Sequence, residues 1–336
     1  MEERAWKQRR FSRHEVVEGI NEAEHICVPG MQIFRQDRLS SWLDETITAL
    51  PGNQSLNLSL LLSKFPYWFC ESDGTYALQK QFETKGDVRG PRRPVHDYSK
   101  EFLTAIARLS SAIPSGYDRL FARHYSIPDG IRLHHLDMTT ITRLLIGHAG
   151  VASVLEMGIT LHPYYGFPVI PGSAIKGVTR HFCAEMMSDK RDEWEPMFGN
   201  EPASRTPHEG EVVFYDAWPV IEKPGRSLLE LDNITTHYPD YYRRYQQATP
   251  SGGTGQALTP KSTGSPVYPS DDDNPIPHFF LAVSRGVNFR FAVRPSASTG
   301  RQGLAPAALK HISDALIALG IGAKTGSGYG YFRRTA

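Results

Sequence analysis

The 336-residue sequence predicts an α+β protein: an antiparallel sheet with two helices on one face. Three observations carry that prediction. In the C-terminal 200 residues, apolar runs of strand length and apolar stripes of helical period follow one another in the order strand, helix, strands, helix, strand. Glycine and proline total 53 positions (29 and 24), above the usual share, which marks many turns and long loops. Hydrophobic residues make up 40% and charged residues 22%, a globular composition that excludes wholesale disorder and collagen-like repeats.

The elements follow in order. Thr139 to His148 reads as a strand, turning at Gly147 and Gly150 into a second strand at Ser153 to Leu161, and then into the turn-rich His162-Pro-Tyr-Tyr-Gly-Phe-Pro168. Pro171-Gly172-Ser173 supplies a stop and an N-cap for a helix whose core stripe is Ile175, Val178, Phe182, Cys183 and Met186. Strands are expected at Glu211 to Trp218, Leu228 to Thr235, His278 to Ser284 and Val287 to Val293, the last two joined as a hairpin across Arg285-Gly286. A helix over Pro306 to Leu319 buries Leu309, Ile312, Leu316 and Leu319 and stops at Gly320, before a last strand at Tyr329 to Arg333. This is the order of a ferredoxin-like or RNA-recognition fold.

Two regions interrupt or precede that pattern. Residues 249–277 hold 18 Gly, Pro, Ser or Thr in 29 positions and read as a long flexible insertion. The first 138 residues show short apolar runs such as Leu56 to Leu62, a basic stretch from Lys85 to Pro94, and a helix at Ser99 to Ser111 with Phe102, Ile106 and Leu109 inward. The division is therefore an N-terminal extension over 1–138 and a core over 139–336 carrying the insertion.

Thirty-seven Lys and Arg against 36 Asp and Glu give a formal charge of +1, so any anion site must be local. Three well-separated cysteines, Cys27, Cys70 and Cys183, build neither a disulfide framework nor a CxxC zinc site. No apolar run reaches membrane-spanning length, and a soluble, cytoplasmic protein without membrane contact is expected.

Three segments could carry chemistry. Ser173, Lys176 and Arg180 lie at the start of the first core helix, where a lysine opposes the helix dipole and a phosphate would compensate. Gly320 to Gly330 has five glycines around Lys324, Thr325, Ser327 and Tyr329. It leaves a helix and enters a strand, the wrong polarity for a dinucleotide loop, so it reads as a place where a polymer backbone approaches amide donors, with Tyr329 for stacking. Gly322, Gly326 and Gly328 belong to that surface. His162 and Tyr165, like His237 and Tyr241-Tyr242, interleave rings with cations as single-strand binders do, with core packing or subunit contact as the competing explanation. No HExxH, Walker A loop or Gly-x-Ser-x-Gly elbow occurs, so no metal, cofactor or catalytic nucleophile is nominated.

Gly158 to Arg180, with His162, Tyr165-Gly166, Pro168 and Ile170-Pro-Gly-Ser-Ala-Ile-Lys-Gly177, resembles the signature of the RAMP superfamily of CRISPR proteins, and the C-terminal glycine loop resembles its second hallmark. Glu211 to Asp216, Leu231 to Tyr238, Asn274-Pro-Ile-Pro and Gly320 to Thr325 narrow the likeness to subunits of type III-B Cmr effector complexes, over about residues 139 to 334. Ser-Ala-Ile-Lys stands where the family has Ser-Ser-Leu-Lys. The resemblance implies a modified RNA-recognition fold and a non-catalytic place at the end of a ribonucleoprotein filament, at the 3′ part of the guide RNA. The implied partners are guide RNA and target RNA, neighbouring RAMP subunits and the small helical subunit. The competing reading is a metal-independent ribonuclease with a histidine acid or base, for which His162, His181 and His237 are available.

Overall fold

In the computed structural model, residues 98–127, 131–147, 158–200, 208–221, 225–236, 238, 276–296, 301 and 303–335 are described apart from single gaps, together with short segments between 25 and 78. The basic stretch 85–94, the expected strand residues 153–157, His237, Tyr241-Tyr242 and the insertion up to 275 lie outside the described residues. Contacts divide the chain into two units, 1–230 with 281–336, and 231–280.

The first unit begins with two antiparallel pairs, β1 (His25–Val28) with β2 (Met31–Phe34), and β3 (Trp68–Cys70) with β4 (Tyr76–Leu78). Helix α1 (Tyr98–Leu109) buries Phe102, Leu103, Ile106 and Leu109, as its period predicts, and is followed by α2 (Tyr117–His124).

The central sheet holds β5 (His134–Thr140), β6 (Val212–Phe214), β7 (Trp218–Pro219), β10 (Asn288–Pro295) and β11 (Phe332–Arg334). Between β5 and β6 come α3 (Gly172–Met186) and α4 (Arg191–Phe198); between β10 and β11 comes α5 (Leu304–Ala318). Spatial order is β11-β5-β10-β6, with β7 also on β10, and these strands pair antiparallel. With β5 first, β6 second, β10 third and β11 fourth, the order is 4-1-3-2, the ferredoxin-like arrangement the sequence predicts. The second unit carries the paired strands β8 (Leu229–Thr236) and β9 (Ile276–Val283), whose ends belong to the first.

Alternation places Leu136, Met138, Phe289, Phe291, Val293 and Phe332 on the helix-covered face, where the last five are at most 1% exposed. Phe291 and Phe332 meet edge to face at 5.6 Å. Each such side chain contributes roughly 1.5–3 kcal/mol of burial. From α5 the core receives Ala305, Ala308, Ile312, Ala315 and Leu316, all fully buried, whereas Leu309 and Leu319 are only half-buried. The stripe is rotated from the expected one because alanines let α5 lie close against the sheet and α3.

Four further expectations are corrected. The first core strand is His134–Thr140, not Thr139–His148; the run 144–146 is buried but irregular, tied by Leu144 to Val283 and by the Ile146 carbonyl to the Thr160 amide. Glu211 to Trp218 is split into β6 and β7 by an irregular stretch. On α3, Met186, expected in the core stripe, is 60% exposed, and Thr179 is buried there instead. Finally, β9 and β10 form no hairpin: β9 pairs with β8, and the Gly286 amide donates to Thr140 O at 2.6 Å while Ser284 N donates to Leu228 O. The Arg285-Gly286 turn is held by neighbours distant in sequence, not by its own strands.

Candidate nucleic-acid interface

Because β5 is antiparallel to both β10 and β11, its C-terminus, Asn288 and Phe332 lie at one end of the sheet. The glycine loop joins that end. α5 stops at Leu319 with Gly320 in the left-handed region (φ 71°). The loop's neck is then fastened by Ile321 N to Gly330 O at 2.9 Å, Ala323 N to Leu145 O at 2.8 Å and Gly330 N to Arg143 O at 2.7 Å. A Cβ on Gly322 would fall 2.2 Å from Leu145 O. The missing side chain of Gly322 therefore serves the loop's own approach to residues 143–145.

The tip is different. Thr325–Ser327 forms a single 3-10 turn, with Ser327 N and Tyr329 N donating to Lys324 O. Gly326 and Gly328 stand in open space, and both are exposed with Ser327. Lys324 (φ 60°) is the one non-glycine residue with positive φ among the described residues, a conformation that costs a side chain roughly 1–2 kcal/mol. Lys324, Thr325 and Tyr329 are half-buried.

At the start of α3 the expected compensating anion turns out to be internal. The Gly172 amide donates to Asp216 Oδ1 at 2.7 Å, so a carboxylate from the β6–β7 connection faces the positive end of the helix. Ser173 is exposed and caps nothing; Pro171 takes the N-cap place. Lys176 and Arg180 are half-buried, and Arg180 is among the weaker influences that, after the Arg191 hydrogen bond, hold the Glu195 carboxyl below its ordinary range.

His162 and Tyr165 belong to a ring cluster. The turn between Leu161 and Pro168 closes with His162 N donating to Phe167 O at 2.7 Å. The His162 ring lies 4.8 Å from Tyr165, 5.0 Å from Phe167 and 5.2 Å from Trp218, and its Nδ1 accepts the Tyr164 amide. From α2, His124 stacks on Trp218 at 4.0 Å with its Nε2 at 3.0 Å from Asp216 O. Tyr117 and Phe167 are buried in the same cluster. Burial lowers the pKa of both histidines, and His124 lowers that of His162 further. Packing, the competing explanation, accounts for His162 and Tyr165; Tyr164, 79% exposed, is the ring that faces solvent.

On the sheet face away from α3 and α5, Arg290 makes a two-point bond to Asp137 (2.8 and 2.7 Å), and Phe121 of α2 covers its guanidinium at 5.2 Å. Tyr125 O–H donates to Arg290 O. This part of the face, which RNA-recognition folds leave open, is occupied by the chain itself.

Sequence reasoning missed Asp216, His124, Trp218, Arg143, Arg226 and Arg285. The last three gather at the loop end of the sheet: Arg143 is paired with Glu230, Arg226 donates to Arg285 O, and Arg143 and Arg285 line one cleft with Ser327, Gly328 and Tyr329. Single arginines carry no local signature; only the Arg285-Gly286 turn had a signal, and it pointed to a hairpin. Among the described residues no group of three or more His, Cys, Asp or Glu side chains is placed to hold a metal, and no helix is long and apolar enough to cross a membrane.

The fold and the glycine loop define a class, and residues 137–333 match the RAMP superfamily, to which the chain belongs. Within it, the chain is similar to the CRISPR system Cmr subunit Cmr6 of Pyrococcus furiosus, 32% identical over 242 residues that cover 57% of this chain and 65% of that protein. It is also similar to the Cmr6 subunit of Saccharolobus solfataricus, 29% identical over 58% of this chain and 56% of that protein. The chain thus spans less than two thirds of the length of these relatives. Among solved structures, a chain of a type III-B Cmr-β complex bound to cognate target RNA is 26% identical, with 71% of this chain and 72% of that one covered and a TM-score of 0.49. The Cmr6 crystal structure from P. furiosus is 30% identical over 62% of this chain and all of that one, with a TM-score of 0.35.

Proposed function

We propose that the chain is a non-catalytic, guide-RNA-holding subunit of a type III-B CRISPR effector complex, capping its filament at the 3′ part of the guide RNA. The observation that carries this reading is the loop end of the sheet: an exposed glycine tip whose Ser327 and Gly328 share a cleft with Arg143 and Arg285, on a chain similar to Cmr6 subunits. Lys176, Arg180 and Ser173 on α3, with Thr325, Gly326, Gly328 and Tyr329, complete the proposed RNA surface. The extension expected over 1–138 ends before β5, whose residues from His134 belong to the core, and 249–277 is an insertion that meets neighbouring RAMP subunits or the small helical subunit. Target RNA is reached through the paired guide, in the cytoplasm, with no cofactor.

For the nuclease reading, His162 is packed among rings, His181 is exposed on α3 and faces Glu185 at 3.3 Å, and His237 lies outside the described residues. The test is reversal of Lys176, Arg180 and Lys324 to Glu together. Binding to guide RNA should be lost, and neutralising each should flatten the dependence of log K on log salt by about 0.7. An unchanged slope refutes the assignment.

A further inference from the structure

We infer that the cleft between the Arg285-Gly286 turn and the tip of the glycine loop takes one phosphodiester of a single-stranded RNA, with Arg285 as its cation. This rests on the RNA-holding reading and assigns to it a place and residues that the glycine loop and α3 do not supply.

The cleft has a volume of about 280 Å³ and is lined by Ile141, Thr142, Arg143, Arg285, Ser327, Gly328 and Tyr329. Its two arginines differ. Arg143 is committed to Glu230, whereas the exposed guanidinium of Arg285 has no carboxylate partner among the described residues. The backbone beneath Arg285 is fixed from three sides. Arg226 donates to Arg285 O and lies so close over the turn that a Cβ on Gly286 would meet its Nη2 at 2.4 Å. Gly286 N donates to Thr140 O, and Val287 N to Thr140 Oγ1 at 2.9 Å. The backbone that carries the cation is held in place before an anion arrives, which leaves only the Arg285 side chain to be ordered.

The chemistry of the lining selects the anion. One uncompensated guanidinium beside the hydroxyl of Ser327 matches the single charge of a phosphodiester better than the near-double charge of a terminal phosphate. Ile141, 48% exposed, and Tyr329 give an apolar wall for the base or ribose attached to that phosphate, which a free inorganic anion would leave unused. The open tip at Gly326 and Gly328 leaves room for a polymer to enter and leave.

The test uses the full chain and a fluorescently labelled single-stranded RNA, titrated at several salt concentrations. Arg285→Gln should bind roughly tenfold more weakly at low salt, with the log–log salt slope reduced by about 0.7 and the melting temperature unchanged. Arg285→Lys should restore the slope. If Arg285→Gln keeps the wild-type slope while Lys324→Gln lowers it, the cleft inference is overturned and the RNA-holding reading stands. If Arg285→Gln binds RNA normally but no longer co-purifies with partner subunits, an acidic protein segment fills the cleft and the inference is again overturned. A wild-type slope near zero removes both.

Discussion

Replacing Gly330 by alanine should damage the protein far more than the same change at Gly326, four residues earlier in the same loop. Gly330 has φ 79°, and its new Cβ would sit 2.0 Å from Ile321 O and 3.0 Å from Ile321 C, backbone atoms that cannot turn aside. The left-handed conformation costs alanine roughly 1–2 kcal/mol. Relieving the clash breaks the neck bonds Ile321 N to Gly330 O and Gly330 N to Arg143 O, at about 1 kcal/mol each. The sum is roughly 3–4 kcal/mol, a fall in melting temperature on the order of 10 °C. Gly326 has no positive φ and no neighbour within 4 Å of a new Cβ, so alanine there should be neutral or stabilise by up to about 1 kcal/mol. Urea and thermal unfolding of both variants measure the difference. Equal stabilities would refute the division of the loop into a structural neck and an open tip.

Other perturbations probe the supports of that end. Asp216→Ala should cost about 1–2 kcal/mol in urea unfolding, because the Gly172 amide loses its acceptor at the start of α3. Asp137→Ala leaves the Arg290 guanidinium uncompensated beneath Phe121 and should cost about 2–3 kcal/mol, more than Arg290→Met, which removes the charge and keeps the stem. Since burial lowers the His124 and His162 pKa values, their neutral forms favour the folded state. That stability is fully present above the unfolded value of about 6.5 and is lost as pH falls through it toward the folded values. Melting temperature should therefore drop between pH 7.5 and 5, and His124→Phe, which keeps a ring on Trp218, should give a flatter profile. Lys324→Gly should raise stability by about 1 kcal/mol by removing the left-handed penalty, yet weaken RNA binding, so that a calorimetric gain accompanies an affinity loss.

Helices α3 and α5 were legible because their apolar period runs for fifteen residues each, between Pro-Gly at one end and Gly320 at the other. β5 was misplaced because its sequence, His-His-Leu-Asp-Met-Thr-Thr, hides alternation behind histidines and an aspartate that the fold satisfies with Arg290, while the louder apolar run Leu144 to Ile146 is buried without being a strand. α2 is short, and half of its residues are charged or histidine. The hairpin expected at Arg285-Gly286 failed because the bonds that hold the turn come from Thr140 and Arg226, about 145 and 59 residues away along the chain. At the site, the glycine loop and its lysine were visible in composition alone. Asp216, Arg226 and Arg285 were not, since a lone charge means little until topology places it beside a helix start or a cleft.

The central claim, an RNA-holding place inside a type III-B effector complex, is tested most directly by purifying the tagged full chain from its native host and sequencing the RNA and identifying the proteins that come with it. The account predicts guide RNA of discrete length, together with other RAMP subunits, both lost when Lys176, Arg180 and Lys324 are reversed to Glu. A chain recovered without such RNA, or with RNA of random sequence that the reversal does not diminish, would contradict it.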